Sequence, residues 1–175
     1  MKKIVYEYKA KLGFKFEILF KRPIRTRIQR YRDSQNWSPN ILKRSKDFLN
    51  TVKVQGKGFY WLPMWYEGQN IKYVKDVKDY AMSPEVFFLK KGGDCDDYAA
   101  FSEFMFRGIY KTYTCFLLHK NGSGHVVTII RNLIENRFRV IDGVNIYGTF
   151  FNLKSASHHV YGDDTKSVII MEGGE

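Results

Sequence analysis

The chain has 175 residues, of which 44% are apolar and 27% charged, a composition typical of one globular domain with its own core. No apolar run approaches the roughly 20 residues of a membrane-spanning helix, and Lys9, Lys11 and Lys15 interrupt any apolar region of a signal peptide. We therefore expect neither a membrane span nor export, and we place the protein in the cytoplasm or in a larger assembly such as a virion.

The two cysteines, Cys95 and Cys115, indicate free thiols rather than a disulfide framework. Two cysteines are too few for a disulfide-rich scaffold, and they lack the spacing of a zinc site. A single bridge between them is compatible with the sequence, but it would consume the thiol of Cys95. We expect both thiols to be free in a reducing compartment.

The net charge of +11 is concentrated at one end of the chain. Residues 1–60 hold 16 Lys and Arg against 4 Asp and Glu, a net charge of +12, whereas residues 61–175 sum to −1. This asymmetry predicts a basic N-terminal extension over residues 1–60 and a core over residues 61–175. Basic residues interleaved with aromatic ones favour contact with nucleic acid or another polyanion. The alternative is a solvated basic face that keeps the protein soluble.

The N-terminal third predicts one strand and two helices. Apolar residues at every second position, Phe14 to Phe20, are typical of a strand. The run Ile24–Arg32 is basic and has apolar residues at helical spacing. Ser38 and Pro39 resemble a helix start, and the pattern of residues 40–52 predicts an amphipathic helix.

From residue 83 onward the pattern predicts helices followed by an antiparallel meander. Residues 84–89 favour a short helix, Gly92 and Gly93 a flexible turn, and Asp94 an N-cap for a helix over residues 95–110. Strands follow over residues 112–119, 125–131 and 137–142, with a last one over residues 168–171. Helices followed by hairpin-connected strands indicate an α+β fold.

Cys95 lies where a thiol becomes a nucleophile. A thiolate is the reactive form, and both a helix N-terminus and a nearby imidazolium favour it. The preceding glycines allow a substrate backbone to approach closely. The N–H groups of the first helical turn are available to a developing oxyanion. This position predicts activation of Cys95 and stabilisation of its transition state together.

His125 and Asp142 are the predicted partners of Cys95. His125 begins a strand after a glycine-rich turn, and Asp142 ends the next strand. If these strands pair, Asp142 orients the imidazole and fixes its tautomer. Taken singly, each residue has a structural explanation: a core cysteine, a surface histidine and a turn aspartate. Three such residues on successive elements favour a Cys-His-Asp triad. Cys115 is assigned to the core, His119 to a strand end, and His158 and His159 to a loop.

The residues around Cys95 resemble a known family. The run Gly93-Asp94-Cys95-Asp96-Asp97-Tyr98-Ala99 is similar to the nucleophile pattern of the bacterial transglutaminase-like cysteine proteinases, which belong to the papain-like, transglutaminase-core superfamily. The family has Glu where this chain has Asp96. The upstream residues that share the resemblance are Asn70, Tyr73, Asp76, Asp79, Tyr80, Pro84 and Glu85. The segments His125-Val126-Val127 and Val140-Ile141-Asp142 match the family's histidine and aspartate strands. The resemblance covers about residues 68–148 and nothing in residues 1–60.

The resemblance implies a thiol hydrolase with a papain-like transglutaminase core. Its nucleophile would lie at the N-terminus of a central helix packed on an antiparallel sheet. It would cleave a peptide or amide bond without a required cofactor, with a protein or peptide as substrate. The backbone N–H of Cys95 would be one oxyanion donor, Gly93 would lie beside it, and an upstream aromatic residue, Tyr80, Trp61 or Trp65, would be the second. Alternatives are acyl transfer to an amine on the same triad, or a non-catalytic binding component of a phage-type assembly.

Three carboxylates flank Cys95, namely Asp94, Asp96 and Asp97. Like charges disfavour a thiolate, so their charge has to be offset. One possibility is that Asp94 caps the helix while Asp96 or Asp97 faces the first turn or pairs with a Lys or Arg. The other is a bound Ca²⁺, which prefers clustered carboxylate oxygens and which the resemblance implies for some family members.

Overall fold

The computed structural model describes residues 3–4, 12–75, 80–160 and 164–173. Asp76 and Asp79, which contribute to the family resemblance, lie outside the described residues, as do Lys9 and Lys11. Among the described ranges, no helix is long and apolar enough to cross a membrane.

Six antiparallel strands form the main sheet: β1 (Lys3–Ile4), β4 (Lys111–His119), β5 (Gly124–Asn132), β6 (Arg137–Asp142), β7 (Asn145–Phe150) and β8 (Thr165–Glu172). Their order across the sheet is β1-β8-β4-β5-β6-β7. Two short strands, β2 (Lys72–Tyr73) and β3 (Gly92–Gly93), pair in parallel apart from this sheet.

Seven α-helices surround the sheet: α1 (Leu12–Phe16), α2 (Arg22–Ser34), α3 (Pro39–Gln55), α4 (Trp61–Gly68), α5 (Pro84–Lys90), α6 (Cys95–Phe106) and α7 (Leu153–His159) in the described ranges. A π-helical turn over Glu17–Lys21 joins α1 to α2 without a break. The predicted starts of α3 and α5 are confirmed, and Ser38 and Ser83 accept hydrogen bonds from the third residues of these helices.

Helix α6 lies at the centre, between the sheet and the other helices. One of its faces, including Tyr98, Phe101 and Met105, packs with helices α3, α4 and α5. Another meets the sheet, where the Thr128 hydroxyl donates to the Ala99 carbonyl at 2.8 Å. The opposite face of the sheet packs against α7, as alternation along the strands requires. The predicted α+β fold, with the Cys95 helix on an antiparallel sheet, is confirmed.

Residues 14–20 are helical, so the predicted strand is wrong. Ile18 is buried against the sheet, whereas Phe16 and Phe20 point outward, which is a helical rather than an alternating division of the side chains. A pattern with apolar residues at every second position also contains pairs four residues apart, which is a helical spacing. The pattern is therefore compatible with both structures, and the tertiary contacts of Ile18 favour the helix.

Four further differences arise downstream. Gly92 and Gly93 form a buried strand instead of a flexible turn, because they pair with β2. Helix α6 ends at Phe106, since Gly108 adopts a positive φ of 84°. The sequence does not predict strand β7 or helix α7, and α7 contains His158 and His159, for which the sequence predicts a loop.

Residues of the predicted N-terminal extension take part in the core. Leu49 of α3 is fully buried with Tyr66 and Phe101, and Ile18 packs against Phe116 and Ile169 of the sheet. The division into residues 1–60 and 61–175 stays a prediction.

Candidate active site

The start of α6 holds Cys95 by means of a reciprocal cap. Asp94 is the N-cap residue, and its side chain accepts the N–H of Asp97. The carboxylate of Asp97 accepts in turn from the Asp94 N–H at 3.1 Å and from the Met82 N–H at 2.5 Å. A Cβ on Gly93 would collide with the Asp97 carboxylate, so glycine is required there. Cys95 thereby occupies the first helical position and is half-buried.

Strands β5 and β6 bring His125 and Asp142 to Cys95. The two strands are antiparallel neighbours, with Thr128 opposite Ile141, so that the start of one meets the end of the other. His125 Nε2 lies 2.8 Å from Asp142 Oδ1. The imidazole also forms a hydrogen bond with the Cys95 side chain. Because Nε2 contacts Asp142, Nδ1 is the nitrogen that remains for this second bond. The structure thus brings the three predicted residues together, and their catalytic role stays a prediction.

The two hydrogen bonds of His125 make it a stronger base than a free imidazole. The bond to Asp142, and after it the bond to Cys95, raise the pKa of His125 to about 10, against the opposing effect of burial. Because both partners carry negative charge in the ion-pair form, they favour the imidazolium. An imidazolium beside Cys95 is what stabilises a thiolate.

Cys115 lacks these conditions. It is fully buried in β4, and burial raises the pKa of its thiol. The two cysteines are free, so the expected absence of a bridge between them holds. Cys115 is therefore a core residue, as predicted, and offers a matched control for Cys95.

Tyr73 is a site residue that the sequence did not single out for a role. The hydroxyl oxygen of Tyr73 accepts a hydrogen bond from the backbone N–H of Cys95, and the Tyr73 ring stacks on Tyr98 at 6.4 Å between centroids. Partial desolvation, followed by repulsion from Cys95, raises the pKa of Tyr73, so the phenol remains a protonated donor. It lies beside the N–H at which an oxyanion would be bound. The only sequence signal was its place in the family resemblance, because the pairing of β2 with β3 is not local.

The aromatic residues predicted as oxyanion donors have different surroundings. Trp61 packs edge-on against Phe106, and Trp65 stacks on Phe101, both with ring centroids within 6 Å. At 1.5 Å per residue, Phe106 is roughly 16 Å along the helix from Cys95. Trp61 and Trp65 thus pack against the core, and a donor role for either of them stays a prediction. Tyr80 is half-buried, and a role for Tyr80 or Gly93 towards substrate stays a prediction.

Arg22 supplies positive charge to the acidic cluster. Its guanidinium forms a charge-assisted hydrogen bond with Asp96, although 74 residues separate them in sequence. Of the two possibilities that the sequence left open, the structure shows the contacts of the first: Asp94 caps the helix and Asp96 pairs with an arginine, and Asp97 also completes the cap. Burial raises the pKa of Asp96, and its hydrogen bond with Asp94 raises it further, whereas Arg22 acts in the opposite direction.

The same cluster is also the group of carboxylates that could hold a cation in the described part of the chain. One oxygen from each of Asp94, Asp96 and Asp97 lies within 4.8 Å of the others, and all three residues are buried. Asp94 Oδ1 and Asp96 Oδ1 have no hydrogen-bond partner, whereas both Asp97 oxygens are engaged by backbone N–H groups. Asp94 and Asp96 therefore fit a small cation, and Arg22 competes with it for Asp96.

A cleft of about 220 Å³ opens at Cys95 and His125. Its walls are Phe14, Ile18 and neighbouring residues on one side, and strand residues of β4 and β5 with the turn at Gly122 on the other. Glu17 and Arg25 line its edge and pair with each other. The N-terminal helical segment therefore forms one wall of the candidate active site.

Replacement of Arg22 by Gln is expected to lower the free energy of unfolding by about 3–5 kcal/mol, because it leaves the buried Asp96 carboxylate without its partner. The matched control is Arg25→Gln, which breaks an exposed pair with Glu17 and is expected to cost at most about 1 kcal/mol. Urea unfolding followed by circular dichroism measures both. The double variant Arg22→Gln/Asp96→Asn should recover part of the loss. Equal stabilities of the Arg22 and Arg25 variants would contradict the buried pair.

Three solved structures of LapG from Legionella pneumophila are similar to this chain. The first has a TM-score of 0.46 at 17% identity, covering 77% of both chains. An EGTA-treated form has a TM-score of 0.47 at 16% identity, covering 77% of this chain and 75% of that one. A calcium-bound form has a TM-score of 0.42 at 16% identity, covering 69% and 80%. No family model and no curated protein matches the sequence.

Proposed function

We propose that the protein is a cysteine-dependent hydrolase that cleaves a peptide or amide bond. Cys95 is the nucleophile, His125 the general base and acid, and Asp142 the residue that positions His125. The observation that carries the proposal is the imidazole of His125, which bonds Asp142 through Nε2 at 2.8 Å and Cys95 through its other side. Nucleophile, base and orienting carboxylate in mutual contact are the arrangement that acyl-transfer chemistry requires.

The reaction follows from these contacts. The Cys95 thiolate attacks the carbonyl carbon, and the oxyanion that forms accepts hydrogen bonds from the Cys95 N–H and the Tyr73 hydroxyl. His125 then donates its proton to the leaving amine, which departs and leaves a thioester on Cys95. Water attacks the thioester while His125 removes its proton, and the thiolate departs to restore the starting state. Every bond and proton in the cycle is handled by residues of the chain.

Peptide hydrolysis is favoured over acyl transfer by the resemblance around Cys95, and both reactions share the thioester. To separate them, the protein is incubated with a library of proteome-derived peptides, with and without hydroxylamine, and the products are identified by mass spectrometry. New peptide termini in water support a peptidase. Products that appear only as hydroxamates would indicate a transferase. A third outcome is that neither new termini nor hydroxamates form and that Cys95 is no more reactive than Cys115 towards iodoacetamide at pH 7. This outcome would overturn the proposal of an enzyme and would favour a binding component.

Replacement of Tyr73 by Phe is expected to lower kcat by about 10²-fold and to change KM little, because the hydroxyl serves an oxyanion that exists only after attack. The control is Tyr60→Phe, which removes a hydroxyl from an exposed tyrosine. Steady-state cleavage of a fluorogenic peptide selected from the library measures both variants. A native kcat in Tyr73→Phe would assign the second oxyanion contact to another residue.

Calcium, where bound, would be held by Asp94 and Asp96 and would supply positive charge beside the thiolate. Arg22 supplies charge at the same carboxylates, so we propose that the hydrolysis does not require the metal. Calorimetric titration with CaCl₂ should give tighter binding in Arg22→Gln than in the native chain, because the competing guanidinium is gone. Equal affinities would show that Arg22 and the metal do not compete.

A further inference from the structure

The outer face of residues 12–34 carries a row of large apolar side chains. Phe16, Phe20, Ile24, Ile28 and Tyr31 are 49–67% exposed. They recur at intervals of three or four residues, the spacing that places side chains on one face of a helix. The rings of Phe16 and Phe20 lie 5.3 Å apart across the π-helical turn, so the row continues from α1 into α2.

On its opposite face, the segment contacts other described parts of the chain. Ile18 packs into the core, Arg22 pairs with Asp96, and Arg30 Nε donates to the Ala81 carbonyl at 3.2 Å. Asp33, at the end of the segment, is buried. Docking of residues 12–34 therefore fixes the apolar row in an outward orientation.

Basic side chains lie along the margins of the row. The segment contains seven Lys and Arg but only two acidic residues, Glu17 and Asp33. Asp33 is buried, and Glu17 is engaged by Lys21 and Arg25. The exposed basic residues of the segment are Lys21, Arg25, Arg27 and Arg32. An exposed apolar row with cations beside it is typical of a helix that lies in a membrane interface.

We infer that residues 12–34 dock the protein on an anionic lipid surface. The apolar row enters the boundary between head groups and acyl chains, and the flanking cations meet the lipid phosphates. Nucleic acid is disfavoured because its phosphates would face the apolar centre of the surface instead of the basic margins. The inference goes beyond the hydrolase activity and does not depend on it. Glu17 and Arg25 belong both to this segment and to the edge of the cleft, so docking brings the cleft to the lipid surface.

Co-sedimentation of the full chain with vesicles tests the inference. Vesicles with equal parts phosphatidylglycerol and phosphatidylcholine should bind it at least tenfold more tightly than pure phosphatidylcholine, and added salt should weaken binding. The variant Ile24→Gln/Ile28→Gln should lose about tenfold or more in vesicle affinity. The matched control Leu133→Gln/Ile134→Gln changes two exposed apolar residues in a turn and should bind as the native chain does. An unchanged melting temperature shows that the variants are folded.

Two readouts distinguish other occupants of this surface. Sedimentation equilibrium without lipid would reveal self-association that Ile24→Gln/Ile28→Gln abolishes, and this result would assign the row to a second copy of the chain. Fluorescence anisotropy would measure binding of a single-stranded oligonucleotide. Binding that persists in Ile24→Gln/Ile28→Gln but is lost in Arg25→Gln/Arg27→Gln/Arg32→Gln would assign the surface to nucleic acid. Either result, or equal binding to neutral and anionic vesicles, overturns the inference.

Discussion

Cys95→Ala is expected to lower kcat for peptide cleavage by roughly 10⁴-fold or more, because removal of the nucleophile leaves only the oxyanion contacts and substrate binding. The side chain is small and half-buried, so the variant should fold as the native protein does. Cleavage of the fluorogenic peptide, with melting temperatures alongside, separates loss of chemistry from loss of fold.

Cys115→Ala is the matched control for this experiment. Cys115 is fully buried in β4, and the substitution should lower stability modestly while kcat stays within about twofold of native. The two variants should also differ in their rate of labelling by iodoacetamide. Cys115→Ala should retain the fast reaction at neutral pH, whereas Cys95→Ala should lose it. Full cleavage activity in Cys95→Ala would contradict the proposed chemistry.

Asp142→Asn is expected to lower kcat by roughly 10³- to 10⁴-fold, because an amide neither stabilises the imidazolium nor holds the correct tautomer. Native kcat/KM should fall above about pH 10, where His125 loses its proton. Since Asp142 is the main cause of the raised pKa of His125, the alkaline fall should move to lower pH in the variant.

The raised pKa of His125 also means that the stability gained from the imidazolium is complete below pH 6.5 and is lost as the pH rises through about 10.

The control for this pH profile is a second Asp–His pair on the same sheet. Asp164 lies 3.3 Å from His119 Nδ1, on an exposed part of the surface. Asp164→Asn should leave both kcat and the alkaline fall unchanged. A profile for Asp142→Asn that superimposes on the native one would show that Asp142 does not govern the titration of His125.

The proximity of Cys95, His125 and Asp142 could be predicted because local sequence signals mark each of the three positions. Glycines and an aspartate precede Cys95, a turn precedes His125, and Asp142 ends a β-branched run. Pairing of consecutive strands then brings the last two together, as hairpin order requires. The fold class could be predicted from the same local signals. Strand β7 could not be predicted, because its residues are largely exposed and show no clear alternation.

Long-range contacts account for what the sequence did not reveal. Tyr73 reaches Cys95 through the pairing of β2 with β3, two residues each, which no periodicity announces. The arginine that would pair with Asp96 could not be chosen among many, because Arg22 lies 74 residues away, just after a segment expected to be a strand. Burial of Ile18 decided that segment's conformation, and burial is a property of the assembled protein.

The Arg22–Asp96 pair bears on when the candidate active site is assembled during synthesis. During synthesis Arg22 leaves the ribosome 74 residues before Asp96, so the counter-charge exists long before the carboxylate that needs it. The surroundings of Cys95 are therefore complete only after the first and middle thirds of the chain have packed together. A nascent or clipped chain without residues 12–34 would keep Cys95, His125 and Asp142 yet have an uncompensated acidic helix start and an open cleft wall. Proteolysis within the arginine-rich segment is accordingly expected to abolish the proposed hydrolase activity while Cys95, His125 and Asp142 stay intact.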